Sequence, residues 1–311
     1  MSDQTAGRTR AGFVAIVGAP NAGKSTLVNA LVGSKVSIVS PKVQTTRMRV
    51  IGIAMADLAN GERAQVVLVD TPGIFRIAKR RLERAMVAAA WQGAEDADVV
   101  ALVVDAERGV GPETQAIVER LKESKAPRYL VLNKIDLVAR EALLGLTAEL
   151  SALLPFERVF MVSALKNDGV ADILKTVAER LPAGPFLYPE DQAADLPLRL
   201  LAAEVTREQV FLQLHQELPY EAAVETEKWE ERKDGGVRIE QTIHVQREGQ
   251  RAIVLGKGGA KIKQIGARAR HELSQMLERP VHLFLHVKVS ERWADDPSHY
   301  RTIGLDYEPR S

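Results

Sequence analysis

The chain has 311 residues, and its 42 Lys and Arg against 41 Asp and Glu leave a formal net charge of +1. That length is typical of about two domains, and the near-zero charge argues against a protein that coats nucleic acid with its whole surface. The chain has no cysteine, which excludes a disulfide framework, a thiolate zinc site and a cysteine nucleophile. No apolar run approaches the ~18–20 residues of a membrane-spanning helix, and residues 1–10 lack the apolar core of a signal peptide. We therefore expect a cytoplasmic protein.

Strand and helix signals alternate over the first 181 residues. Apolar, β-branched runs predict strands at 13–17, 65–69, 99–104, 129–132 and 159–162. Amphipathic spacing predicts helices between them, at 25–32, 112–122, 140–153 and 170–180. Such an alternation is typical of a mostly parallel sheet covered on both faces. The predicted fold class is therefore α/β, with a first domain over residues 1–181.

The composition changes after residue 181. Four prolines and several acidic residues within 182–197 predict a linker. Over 198–311 the pattern predicts a smaller α+β domain: a helix at 198–217, strands at 221–229 and 237–245, a helical stretch broken at 256–259, a helix at 260–277 and a strand at 281–289. Lys-Asp-Gly-Gly at 233–236 indicates a hairpin between the first two of these strands.

A phosphate-loop pattern follows the first strand and opens a helix, which is the context that this motif requires. The predicted nucleotide-binding residues here are Gly18, Ala19, Pro20, Asn21, Ala22, Gly23, Lys24, Ser25 and Thr26. Glycines permit the tight turn, and backbone N–H groups at a helix N-terminus attract anions. Lys24 should reach the β- and γ-phosphates, and the Ser25 hydroxyl should bind Mg²⁺. The motif therefore predicts a nucleoside triphosphate site.

A second motif, Asp70-Thr71-Pro72-Gly73, ends the next apolar strand. A carboxylate at Asp70 can reach the metal ion, and the backbone N–H of Gly73 is free to contact a γ-phosphate. The motif is a common turn by itself, but its spacing after the phosphate loop makes it informative. We predict that all four residues line the nucleotide site.

Two further strand ends carry residues suited to guanine. Asn133, Lys134 and Asp136 follow one strand, and Ser163, Ala164 and Leu165 follow the next. The Asp136 carboxylate can accept from the adjacent N–H donors of guanine, an edge that adenine lacks, and a buried site of this kind rejects the wrong base. The Lys134 stem can cover the base, and the Ser-Ala-Leu segment can offer a backbone N–H to the guanine oxygen. These residues predict GTP rather than ATP.

With these motifs in order, residues 12–181 resemble the small G-protein-like GTPases. The resemblance implies a switch segment with a threonine that binds Mg²⁺ when GTP is bound, and Gln44, Thr45 and Thr46 fit, with Thr46 preferred over Thr45. Ile74 stands where many relatives carry a glutamine that orients water, so hydrolysis should be slow and the catalytic residue is unknown. Asn21 occupies the place of a potassium-binding asparagine in cation-dependent relatives; an ordinary turn residue is an equally good interpretation.

The second domain contains a basic cluster. Residues 250–288 hold eight Lys or Arg and two Glu, a local charge of +6, as expected for a polyanion-binding module. Gly256-Lys257-Gly258-Gly259 matches the Gly-x-x-Gly loop of a KH module, which clamps single-stranded RNA. The predicted RNA-binding residues are Gly256, Lys257, Gly258, Gly259, Lys261, Lys263 and Arg268. We expect Ile253, Val254, Ile262 and Ile265 to line an apolar groove for bases, and Phe284 to be a core residue.

A GTPase followed by a KH module of this topology resembles the Era family over nearly the whole chain. Further matching segments are Arg207-Glu208-Gln209, Glu217-Leu218-Pro219-Tyr220 and residues 261–266. The resemblance implies a monomer that binds GTP and GDP with Mg²⁺, binds the 3′ end of small-subunit (16S) ribosomal RNA during subunit assembly, and associates peripherally with the inner face of the cell membrane.

Other functions stay open at this level. A GTPase of this kind could instead regulate another RNA, or a membrane or cell-cycle process. A metabolic phosphotransferase would not need the guanine-specific segment at Asn133–Asp136. A non-catalytic RNA-binding protein would not need an intact Lys24, Ser25 and Asp70.

Overall fold

The computed structural model describes residues 9–42, 45–74, 81–214 and 218–291, together with Trp293, Pro297, Tyr300 and Leu305. The chain divides into two compact units. The first comprises Met1–Ser37 and Thr46–Asp195, and the second comprises Ile38–Thr45 and Leu196–Ser311. Each unit has its own sheet. No helix of the described residues has the length and apolar character needed to cross a membrane.

The first unit is built on a six-stranded sheet of order β2-β3-β1-β4-β5-β6. The strands are β1 Thr9–Val17, β2 Val50–Asp57, β3 Arg63–Asp70, β4 Val99–Asp105, β5 Arg128–Asn133 and β6 Arg158–Val162. All neighbours pair in parallel except β2, which runs antiparallel to β3. The mostly parallel sheet predicted from the sequence is confirmed.

Helices cover both faces of this sheet. They are α1 Lys24–Val32, α2 Arg81–Glu95, α3 Pro112–Leu121, α4 Arg140–Leu153 and α5 Val170–Arg180. One apolar core contains Leu27 of α1 and Ile173 of α5, and the other contains Trp91, Ile117 and Leu150 of α2, α3 and α4. Because the parallel strands end at one edge of the sheet, the predicted motifs that follow β1, β3, β5 and β6 all lie at that edge.

Two elements of the first unit, β2 and α2, were not predicted. The glycine in β2 weakens its strand pattern, and the packing explains it: a Cβ at Gly52 would lie 2.8 Å from a methyl carbon of Val32. A glycine therefore lets α1 pack directly on this edge strand. The helix α2 begins beside residues outside the described part of the chain, without a capping signal in its sequence.

The segment predicted to be a linker packs on the first unit up to Asp195. The Ile53 N–H donates to the Ala193 carbonyl at 2.8 Å, and the fully buried Gln65 side chain bonds the backbone of Leu187 and Tyr188. Prolines favour extended backbone in a linker and beside a sheet edge alike, so composition could not separate the two. The boundary in the structure therefore lies between Asp195 and Leu196 rather than at 181.

The second unit is a three-stranded sheet of order β7-β8-β9 with helices on one face. Its elements are α6 Leu198–Gln213, β7 Ala223–Glu231, β8 Val237–Val245, α7 Glu248–Leu255, α8 Ala260–Met276 and β9 Val281–Val289. The hairpin between β7 and β8 forms at the predicted turn, where Gly235 has φ 78° and the Arg232 N–H donates to the Gly236 carbonyl at 2.9 Å. The predicted order of elements is the observed one.

Candidate nucleotide and RNA sites

The phosphate loop connects β1 to α1, and its glycines are required by close packing. A Cβ at Gly18 would lie 2.4 Å from the Val103 carbonyl oxygen on β4. Gly23, which precedes α1, has φ 90°, and a Cβ there would lie 2.3 Å from the Asn133 Nδ2. The left-handed backbone and the lack of space both exclude a side chain. The loop is thereby fixed with the N-terminus of α1 directed towards it.

Lys24 is buried within the loop. Its Nζ donates to the carbonyls of Gly18 at 3.1 Å and Ala19 at 3.0 Å. Burial lowers the pKa of Lys24 to about 8, and the negative charge of Asp70 opposes this shift. A buried ammonium that bonds only neutral carbonyls lacks a full counter-charge. An anionic phosphate in the loop would supply that charge.

Asp70, at the end of β3, is the buried anion of the site. Burial raises its pKa, while the nearby Ser25 hydroxyl, the Lys24 ammonium and the hydroxyls of Ser37 and Thr46 lower it. Neither carboxylate oxygen has a partner at hydrogen-bond geometry among the described residues. Buried carboxylates are normally paired or bind a metal ion. This unsatisfied carboxylate therefore fits a divalent cation.

Two hydroxyls lie beside that carboxylate. The Ser25 Oγ and the Thr46 Oγ1 are 2.8 Å apart, and Thr46 is 8% exposed. Mg²⁺ prefers oxygen ligands and usually completes its shell with water and phosphate. Among the described residues no three Asp, Glu or His side chains are arranged so that they could hold a metal ion. This donor set fits Mg²⁺ bound together with a nucleotide.

Thr46 and Thr45 have different environments. The Thr45 hydroxyl donates to the Lys42 carbonyl at 2.7 Å and lies 2.6 Å from the Ser40 Oγ, within the second unit. Its contacts are those of a loop hydroxyl, which supports the preference for Thr46. Gln44 lies outside the described residues.

The segment after β3 positions a glycine beside the phosphate loop. The Thr71 hydroxyl donates to the Ile16 carbonyl at 2.7 Å, and a Cβ at Gly73 would lie 2.9 Å from the Cα of Pro20. Ile74 is 4% exposed and packs in the core that includes α2 and α3. Its side chain has neither the chemistry nor the position to orient water.

Asn133 joins the phosphate loop to the segment after β6, which is predicted to bind guanine. Its Nδ2 donates to the Ala22 carbonyl at 2.9 Å, and its Oδ1 accepts from the Ala164 N–H at 3.0 Å. Lys134 has φ 66°, and its Nζ bonds the Asp105 carboxylate at 2.5 Å. Sequence reasoning missed Asp105, although it ends β4 in series with the other motifs. The Ala164 N–H is thus occupied, whereas the Leu165 N–H has no partner among the described residues.

The Asp136 carboxylate, predicted to bind the base, is accessible. The Asp136 side chain is 16% exposed, and its Oδ2 lies 3.4 Å from the Lys166 Nζ. A hydrogen bond from the Ser163 side chain is the main reason that the pKa of Asp136 lies below its ordinary value. Asp136 is therefore ionised at neutral pH and can accept from two N–H donors.

In the second unit, the glycine loop connects α7 to α8. Gly256, Gly258 and Gly259 have φ values of 69°, 59° and 76°. A Cβ at Gly256 would lie 2.7 Å from the Lys261 Cβ, whereas the positions of Gly258 and Gly259 are open. Of the basic residues predicted to bind RNA, the exposed ones are Lys257, Lys263 and Arg268. Lys261 is half-buried, and its Nζ bonds the Gln264 side chain at 3.2 Å.

Two expectations about apolar residues here are wrong. Val254 and Ile265 are fully buried in the core against β8, so they cannot line a groove; Ile253 is exposed. Phe284 is also exposed, with the Arg238 guanidinium 5.0 Å from its ring centre. Helical spacing alone does not say which neighbouring apolar residue faces inward, and alternation in β9 places Phe284 opposite the core-facing residues.

Family models match both halves of the chain. The model described as "50S ribosome-binding GTPase" matches residues 13–134, and the KH domain model matches residues 217–294. Curated relatives named GTPase Era include one from Sinorhizobium medicae, 60% identical over 96% of this chain and 94% of its own length. Another, from Bradyrhizobium diazoefficiens, is 57% identical over 98% and 97%.

Two solved structures match at similar coverage. An Aquifex aeolicus Era variant bound to GDP and aluminium fluoride is 40% identical, with a TM-score of 0.89 over 95% of this chain and 99% of that one. Era in complex with MgGDPNP and nucleotides 1506–1542 of 16S ribosomal RNA is 41% identical, with the same TM-score and coverage.

Proposed function

The chain belongs to the GTPase Era family, and from that premise we propose that it is a GTP-binding, slowly hydrolysing switch that binds the single-stranded 3′ end of 16S ribosomal RNA and assists assembly of the small ribosomal subunit. The single observation that carries the nucleotide half is the unsatisfied Asp70 carboxylate beside the Ser25 and Thr46 hydroxyls. The relative bound to MgGDPNP and 16S RNA supports both halves.

The main predicted residues have distinct proposed roles in the nucleotide site. Lys24 and the backbone N–H groups of the phosphate loop bind the β- and γ-phosphates, and Gly73 contributes its N–H to the γ-phosphate. Ser25, Thr46 and Asp70 hold Mg²⁺, which neutralises phosphate charge when bound. Asp136 accepts from guanine, and the free N–H of Leu165 donates to the guanine oxygen. The proposed nucleotide-binding set also includes Ala19, Pro20, Ala22, Thr26, Thr71, Pro72, Lys134 and Ser163.

The residues at the proposed reaction centre support slow hydrolysis. Ile74 is buried and cannot orient water, so the protein alone lacks the group that many relatives use. Asn21 has φ 64°, a conformation that asparagine tolerates in tight turns. Its proposed role as a potassium ligand is tested by comparing hydrolysis in KCl and NaCl, with Asn21→Asp as the variant. Equal rates in both salts would leave Asn21 as a turn residue.

The RNA half rests on the Gly256–Gly259 loop and the basic residues around it. Positive φ at three glycines lets the backbone approach a phosphate chain closely. The proposed RNA contacts are Lys257, Lys261, Lys263 and Arg268, and Ile253 lies exposed beside the loop. Because four cations face RNA phosphates, binding should weaken steeply as salt rises.

The experiment measures nucleotide and RNA binding together. Affinity for GTP, GDP and ATP is compared, followed by affinity for a 16S 3′-end oligonucleotide, the same sequence scrambled, and a large-subunit RNA hairpin of equal length, at one salt concentration. GTP selectivity with preference for the 16S oligonucleotide is expected. Equal affinity for all three RNAs would refute the RNA assignment. Preference for the large-subunit hairpin would instead favour a protein that binds the 50S subunit, as the description of the matching GTPase family model says.

Location is proposed from family resemblance alone. We expect the protein in the cytoplasm as a monomer, with peripheral contact at the inner face of the membrane. Fractionation at low and high salt tests this, because a peripheral contact should be released by salt. A protein absent from the membrane fraction at low salt would remove the membrane part of the proposal.

A further inference from the structure

Residues Ile38–Thr45, here called the inserted segment, belong to the second unit, although the chain on both sides belongs to the first. The segment ends immediately before Thr46, the proposed Mg²⁺-binding threonine. Within the second unit, the inserted segment packs on α6.

Three hydrogen-bonded positions, spaced by three residues, anchor the inserted segment to α6. The Val39 N–H donates to the Glu208 Oε1 at 2.7 Å. The Lys42 ammonium donates to the carbonyls of Phe211 and Leu214. The guanidinium of Arg207 donates to the Thr45 carbonyl. The first anchor lies one residue after the start of the segment and the last lies at its final residue, so the described parts of the segment, 38–42 and Thr45, are both bonded to α6.

The groups on α6 are unusual for a helix surface. Arg207 and Glu208 are 2% and 3% exposed, and the Arg207 Nε also bonds the Glu204 carboxylate at 2.7 Å. Burying charged groups is costly even when they are paired, and apolar residues often serve stability as well. Charged residues at these positions therefore point to a function in orienting the backbone that they bond.

Lys42 binds where α6 ends. The last carbonyls of a helix lack intrahelical partners and carry partial negative charge, so an ammonium is favoured there. The Lys42 carbonyl in turn accepts from the Thr45 hydroxyl at 2.7 Å. This hydrogen bond links the backbone of Lys42 to Thr45, which one peptide bond joins to Thr46.

We propose that α6 positions Thr46 through the inserted segment, with Lys42, Arg207 and Glu208 as positioning residues for Mg²⁺-dependent GTP binding. The inference deepens the proposed function and rests on it. The helix α6 belongs to the unit that also carries the Gly256–Gly259 loop.

The proposal predicts a difference between GTP and GDP. In the proposed site the threonine binds Mg²⁺ only when the γ-phosphate is present, whereas GDP binding does not use it. Loosening an anchor should therefore weaken the GTP complex and spare the GDP complex. A merely structural role for the anchors would weaken both.

The experiment uses the full chain with Lys42→Met, which keeps the apolar stem but removes the ammonium. Lys42→Arg restores the charge, and Lys122→Met is the matched control, since Lys122 is a half-exposed lysine paired with Glu119 elsewhere in the first unit. Arg207→Lys is a second variant. It keeps a positive charge facing Glu204, but an ammonium cannot donate to both the Glu204 carboxylate and the Thr45 carbonyl in the way that the planar guanidinium does. Affinity is measured for GDP and for a non-hydrolysable GTP analogue, with Mg²⁺ and with EDTA.

Lys42→Met should lose about tenfold in affinity for the GTP analogue with Mg²⁺, the effect expected on losing hydrogen bonds from a charged donor. GDP affinity should change less than about twofold, and Lys42→Arg and Lys122→Met should behave as wild type. Arg207→Lys should show the same selective loss.

The proposal would be overturned if Lys42→Met and Arg207→Lys both bound the GTP analogue as tightly as wild type. It would also be overturned if they lost affinity for GDP and for the analogue by the same factor. Failure of wild type itself to bind the analogue with Mg²⁺ would instead refute the proposed function.

Discussion

Lys24 provides a quantitative test of the nucleotide site, because its pKa is lowered to about 8 by burial. A phosphate should restore the charge, so nucleotide binding above this pH must be accompanied by proton uptake. With a pKa of about 8 in the free protein, Lys24 is roughly 90% protonated at pH 7 and roughly 10% at pH 9. Affinity should therefore fall about tenfold between these pH values, whereas a lysine with an ordinary pKa would leave it nearly constant.

Proton uptake can be measured directly. Calorimetric titration of GDP into the full chain at pH 8, in buffers of different ionisation enthalpy, should show about half a proton taken up per nucleotide. Omitting Mg²⁺ keeps the titration of Asp70 out of the measurement, since metal binding would release any proton that Asp70 holds. Lys122→Met should reproduce the wild-type uptake. No uptake at pH 8, with normal affinity, would show that Lys24 is already charged and refute the argument from burial.

The lowered pKa of Lys24 also makes the stability of the nucleotide-free protein depend on pH. Unfolded lysine retains its proton up to about pH 10.5, whereas folded Lys24 loses it above about pH 8. Between these values the unfolded state binds more protons, so the Lys24 contribution to the free energy of unfolding rises with pH in the nucleotide-free protein. Bound nucleotide should remove this contribution.

Three substitutions test the other assignments. Asp136→Asn should weaken GTP binding and improve binding of xanthosine triphosphate, because the amide can donate to the xanthine carbonyl. If the variant bound both nucleotides with the same affinity as wild type, the assignment of Asp136 would be wrong. Lys24→Ala should abolish nucleotide binding in the full chain while RNA affinity without nucleotide persists, as measured by fluorescence anisotropy; loss of both would mean that the units do not act separately. Gly258→Asp should keep the fold, because no atom lies within 4 Å of an added Cβ and aspartate is among the few residues that adopt a left-handed backbone such as φ 59° at small cost. It should reduce RNA affinity about tenfold or more by placing a carboxylate beside phosphates; binding at the wild-type level would remove RNA from that loop.

Much of the nucleotide site could be predicted because its motifs are local. Residues 18–25 form a turn whose backbone groups converge within one segment, and the parallel sheet then brings the ends of β1, β3, β5 and β6 to one edge. The pairing of Asn133 with Ala22 and Ala164, and of Lys134 with Asp105, could not be predicted from the motifs alone. These contacts join strand ends that are far apart in sequence.

The sequence by itself determined the fold class, the order of the elements in the second unit and the family, since hydrophobic periodicity and contiguous motifs are encoded within short stretches of chain. Only the tertiary structure decided that residues up to Asp195 pack on the first unit, that Ile38–Thr45 belongs to the second, and that Phe284 is exposed while Val254 is core. The physical reason is that burial depends on which surfaces meet. The buried charges of Arg207 and Glu208 would have been read as an exposed helix face without the inserted segment that they bond.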